Sequence, residues 1–88
     1  MKLKAKAEID NKIIDCVGNL KIDVISNQQA YVTWQFFSGE KIIASKSENL
    51  FYNKEIDSED DIIKKVLKRI EGYRIGRNKI FTDVKTYH

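Results

Sequence analysis

The sequence has no proline and only one cysteine, one methionine, one tryptophan and one histidine among its 88 residues, and most of these scarcities close off a class of protein. A lone Cys16 cannot form an internal disulfide, and it has no partner at the spacing of a redox or zinc motif. A domain this small without staples fits folding in a reducing compartment, so the cytoplasm is the expected location. Cys16 itself is expected to act as a small buried hydrophobe. The single histidine, His88, stands last in the sequence, a poor position for a general base. No Ser-His-Asp set, metal-ligand spacing or Gly-rich nucleotide loop accompanies it, so neither enzyme nor cofactor is expected. The weak enzymatic alternative is a small ribonuclease built from Arg69, Arg74 or Arg77 with a carboxylate and His88. No apolar run is long enough to cross a bilayer, and the charged opening Met1-Lys2-Leu3-Lys4 is not followed by the apolar core of a signal peptide. Internal repeats and low-complexity tracts are absent as well.

What remains is one domain, residues 1–88, able to bury somewhat over ~60% of its unfolded surface. Isoleucine dominates the apolar set, leucine is sparse, and lysine and asparagine fill many polar positions, a usage that favours sheet over a helical bundle. With 33% charged residues and regular apolar spacing, the chain is a folded domain.

The clearest signal runs from Gln29 to Ser47. Ala30, Val32, Trp34 and Phe36 alternate with Tyr31, Thr33, Gln35 and Phe37, and Ser38-Gly39 then reverses the chain into Lys41-Ile42-Ile43-Ala44. This predicts a β-hairpin, expected at the centre of a sheet. Before it, Leu3, Ala5, Ala7 and Ile9 alternate with Lys2, Lys4, Lys6 and Glu8, and Asp10-Asn11 supplies a turn. Three lysines on one face suit an edge strand, where like charges discourage another chain from adding to the open ladder. The competing reading is a comb of ammonium groups facing phosphates. Lys12 to Ser26, interrupted by Gly18-Asn19, predicts a bulged strand or two short ones, with Leu20, Ile22 and Val24 facing inward. Leu50-Phe51-Tyr52 reads as a strand continuation or a plug over the core edge.

A helix over about 58 to 72 carries a full set of signals: Asp57 or Ser58 as cap, acidic residues in the first turn, Ile62, Ile63, Val66, Leu67 and Ile70 on one face, and Gly72 or Gly76 at the end. Lys79 to Tyr87 predicts a last strand in which Ile80, Thr82, Val84 and Thr86 oppose Phe81, Asp83, Lys85 and Tyr87. The expected fold is α+β: an antiparallel sheet of five to six strands with one helix on one face, in the order strands, helix, strand. Leu20, Ile22, Val32, Trp34 and Phe36 should form the core with the helix.

Charge is unevenly spread. Glu55 to Asp61 holds five carboxylates, without the alternating ligands of a calcium loop, and the helix macrodipole and capping account for them, so no metal is expected. Ile62 to His88 carries a net +6. Lys64, Lys65, Lys68 and Arg69 form the polar helix face, while Arg74, Arg77 and Lys79 crowd a six-residue connector with Gly76, where guanidinium groups and backbone amides can grip a phosphate. All three arginines lie between positions 69 and 77. If Trp34 faces the helix, then Tyr31 and Phe37, with Phe81 and Tyr87, face outward, the arrangement that stacks single-stranded nucleic acid. A second copy of the chain covering that face is the equal alternative, so a monomer or homodimer is expected.

The functional expectation is therefore a non-enzymatic module that contacts nucleic acid or a nucleoprotein through Lys64, Lys65, Lys68, Arg69, Arg74, Arg77 and Lys79, with Tyr31 and Phe37 as the second candidate surface. The alternative is a compact inhibitor or regulator, of the kind phages and mobile elements encode, that binds a partner protein such as a host defence factor through the acidic helix start or an open sheet edge.

Overall fold

Alternating small apolar and lysine side chains lay Leu3, Ala5 and Ala7 on one face of the first strand, and the same period of two recurs down the chain. The computed structural model describes residues 1–87, apart from the side chain of Lys79. Its elements are β1 (Lys2–Ile9), β2 (Lys12–Val24), β3 (Gln29–Ser38), β4 (Lys41–Phe51), α1 (Glu59–Glu71), β5 (Arg74–Ile75), β6 (Asn78–Lys79) and β7 (Phe81–Tyr87). The main sheet has five strands, all antiparallel, in the order β4-β3-β2-β1-β7, and β5-β6 is a separate two-stranded ribbon. The α+β architecture and the order strands, helix, strand are those the sequence predicts.

The turns follow local chemistry. Asp10 and Asn11, at φ 52° and 63°, form a two-residue turn with both central residues left-handed, a conformation their short polar side chains tolerate. Gly39, at φ 60°, occupies the first turn position between β3 and β4.

Several placements differ from expectation. The aromatic hairpin is not central: β4 is an edge, and β2 holds the middle. The first strand is interior, lying between β2 and β7, so guarding an open ladder does not explain its lysines. Nor does Gly18-Asn19 interrupt β2, which pairs with β1 and β3 without a register break. Gly18 is there because a Cβ would strike the Gln35 carbonyl oxygen and lie 2.8 Å from Phe36 Cδ1, so the ring of Phe36 crosses the strand only at a glycine. In β7 the strict alternation fails. Asp83, at φ 53°, marks an extra residue opposite the Lys4–Lys6 stretch of β1, which turns Phe81 and Val84 both into the core. Phe81 is therefore fully buried, not outward-facing.

One apolar core lies between the helix and one sheet face. Trp34 is its hub, meeting Tyr73, Phe81 and Phe36 edge-on at centroid distances of 5.2, 5.8 and 5.9 Å. Ile62, Val66 and Ile70, spaced four apart, supply the buried stripe of α1, with Ile63 and Leu67 half-buried beside them. Leu50 and Tyr52 are buried and Phe51 is exposed, so the three-residue cluster is strand end and plug in turn. The Tyr52 hydroxyl donates to the Ser26 carbonyl at 2.7 Å, closing the β2–β3 loop over the core.

The helix start is closed reciprocally: Asp61 N–H donates to Ser58 Oγ at 3.2 Å, and Ser58 N–H donates to Asp61 Oδ2 at 3.0 Å. At the other end Gly72 caps the helix in right-handed geometry, its N–H reaching the Lys68 carbonyl at 3.0 Å. The last helical turn also reaches both sheet edges. Arg69 Nη1 donates to the Asn49 carbonyl on β4, and Glu71 Oε1 accepts the Val84 N–H on β7, each at 3.3 Å. One outward polar group on each edge strand is thus occupied by a side chain of the same molecule. Among the described residues no helix is long and apolar enough to cross a membrane.

Candidate nucleic-acid interface

With α1 on one side, the other side of the sheet is left uncovered, and the strand registers state what lies on it. Directly paired residues share a face. One cross-strand row runs Lys85, Lys4, Val17, Phe37, Ile42 from β7 to β4. The next runs Tyr87, Lys2, Asn19, Gln35, Ser45, and a third joins Thr82, Lys6 and Asp15. Further along β3, Thr33 lies between Lys21 and Ser47, and Tyr31 between Asp23 and Asn49.

Lysines therefore gather at the β1–β7 side of this face, with Val17 beside them on β2, Phe37 on β3 and Ile42 on the β4 edge. A depression of about 610 Å³ on this face is lined by Lys4, Lys6 and Lys85, by Val17 and Phe37, and equally by the carboxylates Asp15 and Asp83. Lys4 Nζ sits 4.5 Å above the centre of the Tyr87 ring, a cation–π contact that holds the ammonium over the face. The ion pairs among the described residues use none of Lys2, Lys4, Lys6 and Lys85.

The residues singled out in the sequence do not converge in one place. Lys64, Lys65, Lys68 and Arg69 lie on α1, across the sheet from Tyr31 and Phe37. Lys65 Nζ meets Asp57 Oδ2 at 2.8 Å, and Arg69 meets Glu48 at 3.3 Å as well as the Asn49 carbonyl, so these two cations already have partners. Lys64 and Lys68 are exposed. Arg74 and Arg77 are exposed on the β5–β6 ribbon, whose tight turn is made by Gly76 at φ 64°. Arg74 Nη1 donates to the Arg77 carbonyl at 3.3 Å, bracing that turn, and Arg77 borders a depression shared with Glu8 and Asp10. The side chain of Lys79, and His88 with the ribonuclease alternative that needs it, lie outside the described residues. Tyr31 is 41% exposed and Phe37 half-buried on the open face, six residues apart on one strand and so about 20 Å from each other.

The structure adds Lys2, Lys4, Lys6 and Lys85 to the candidates. The first three read as a comb in the sequence, beside an edge explanation that the topology removes. Lys85 joins them only because β7 pairs with β1, which no local pattern announces.

The remaining titratable groups have structural explanations. Burial pushes the Cys16 thiol up, and its S–H donates to the Ala5 carbonyl at 3.3 Å inside the core. The Asn53 backbone N–H, followed by the Lys65 ammonium, holds the Asp57 carboxyl below its usual range, and the backbone N–H and hydroxyl of Ser58 do the same for Asp61. Two carboxylates of the acidic run, Asp57 and Asp61, are thereby engaged around the helix start.

Comparison with protein-family models, with curated proteins and with solved structures finds no match to this chain.

Proposed function

We propose that the protein is a small, non-enzymatic binding module for nucleic acid or a nucleoprotein, working in a reducing, cytoplasmic setting. The observation that carries this reading is the open sheet face, where Lys2, Lys4, Lys6 and Lys85 stand without ion-pair partners among the described residues, beside half-buried Phe37. Unpaired ammonium groups gathered on one side of an uncovered face favour a polyanion, because each phosphate neutralised releases condensed counterions. Lys64 and Lys68 on the helix, with Arg74 and Arg77 on the ribbon, serve as a second and weaker basic surface.

The test is a set of binding isotherms with random DNA and RNA, single- and double-stranded, at two salt concentrations. Affinity should fall steeply as salt rises. Absence of binding at low salt would overturn the reading and leave a protein-directed inhibitor or regulator as the alternative to pursue.

A further inference from the structure

We propose that the uncovered sheet face takes a single strand of nucleic acid, with its phosphates along β1 and a base on Phe37; this rests on the binding function proposed above. The spacing argues for it. Lys2, Lys4 and Lys6 project from alternate positions of one strand, so their stems repeat every ~6.6–6.8 Å. That is about twice the ~3.4 Å axial rise per phosphate of a stacked strand, so a backbone drawn out to roughly double that rise, with its bases unstacked, sets one phosphate over each lysine. The bases have somewhere to go. From Lys4 the same cross-strand row continues through Val17 on the next strand to Phe37, two strands over and about 10 Å away, and ends at Ile42 on the β4 edge, an apolar floor for one ring. The neighbouring row offers Asn19 and Gln35, whose amides can donate to and accept from base edges.

A duplex fits this surface poorly. Its bases are stacked inside, so Phe37 and the amide row would be left without partners while phosphates alone were contacted. The carboxylates also shape the path. Asp15 lies directly opposite Lys6, and Asp83 at the β7 bulge shares the depression with Lys4 and Lys85, whereas Lys2 and Lys4 have no carboxylate paired across either neighbouring strand.

The experiment compares fluorescein-labelled dT12, rU12 and a 12-base-pair duplex on the wild type and on Phe37→Leu, Phe37→Tyr and the Lys4→Gln/Lys85→Gln double variant, with Trp34 fluorescence as the check on folding. Either single strand should bind at least about tenfold tighter than the duplex. Phe37→Leu should lose roughly 5- to 150-fold in affinity at unchanged salt dependence, the loss expected for one unstacked base, and Phe37→Tyr should restore it. The double lysine variant should flatten the salt slope by about 0.7 for each phosphate it no longer neutralises. Duplex binding as tight as single-strand binding, with Phe37→Leu indifferent, would overturn the single-strand inference and leave the nucleic-acid reading standing. Failure of all three probes at low salt would sink both. A dimer by light scattering that Phe37→Leu converts to monomer would mean that a second copy covers the face, and would also overturn the inference.

Discussion

Replacing Gly18 by alanine puts the packing of β2 against β3 to a direct test, because two accounts of the glycine predict opposite signs. If Gly18 only loosened a strand, alanine would stabilise the fold by about 0.5–1 kcal/mol through reduced freedom of the unfolded chain. The structure instead sets the new Cβ 2.8 and 3.0 Å from Phe36 Cδ1 and Cε1 and closer still to the Gln35 carbonyl oxygen. Phe36 is fully buried, and Gln35 is held in register opposite Asn19, so neither can withdraw without opening the ladder. Overpacking of this kind costs about 1–3 kcal/mol. At ~4–8 °C per kcal/mol for a domain of this size, the midpoint should drop by ~5–20 °C. Thermal unfolding followed by fluorescence of buried Trp34 reads the midpoint and urea titration the free energy, with Gly72→Ala as the control. Gly72 has φ −83°, and a Cβ there meets nothing nearer than the Lys68 and Arg69 carbonyl oxygens at 3.5 Å, so alanine should be neutral or stabilise by up to ~1 kcal/mol. A Gly18→Ala variant as stable as the wild type would refute the close approach of Phe36 to β2.

Three further outcomes are expected. Ile70→Ala, at a fully buried site, should cost about 2–5 kcal/mol, and Leu67→Ala on the half-buried flank distinctly less, both measured by urea titration. Asp57 and Asp61 have lowered pKa values, so their contribution is present above the ordinary carboxylate range and is lost as pH falls through those lowered values; Asp61→Asn should therefore start with a lower urea midpoint near neutral pH, with the gap to the wild type beginning to close only below about pH 4. The Arg74→Ala/Arg77→Ala double variant should leave stability within ~0.5 kcal/mol of wild type, since both side chains are exposed, and should weaken nucleic-acid binding less than the Lys4→Gln/Lys85→Gln variant in the same isotherms.

Elements whose causes are local were legible from the residues alone. Period-two alternation in Leu3–Ile9 and Ala30–Phe37 fixes which side of each strand is apolar, Asp10-Asn11 tolerates the left-handed turn, and Ser58 with Asp61 closes the start of a helix whose Ile62, Val66 and Ile70 share a stripe. These depend on neighbours within four residues, so a sequence contains them. Strand order does not. That β7 inserts beside β1 depends on where a strand lands after a helix and a ribbon, and it converts Lys2, Lys4 and Lys6 from apparent edge protection into part of a broad basic face with Lys85. The bulge at Asp83, which sends Phe81 inward against the alternation, and the bare Cα at Gly18, which admits the ring of Phe36, are likewise responses to side chains far away in sequence. Pairing also decided which cations are left over: Asp57, just before the helix, and Glu48, on the distant β4, occupy Lys65 and Arg69, whereas the sheet pairs the β1 lysines mostly with residues that do not neutralise them.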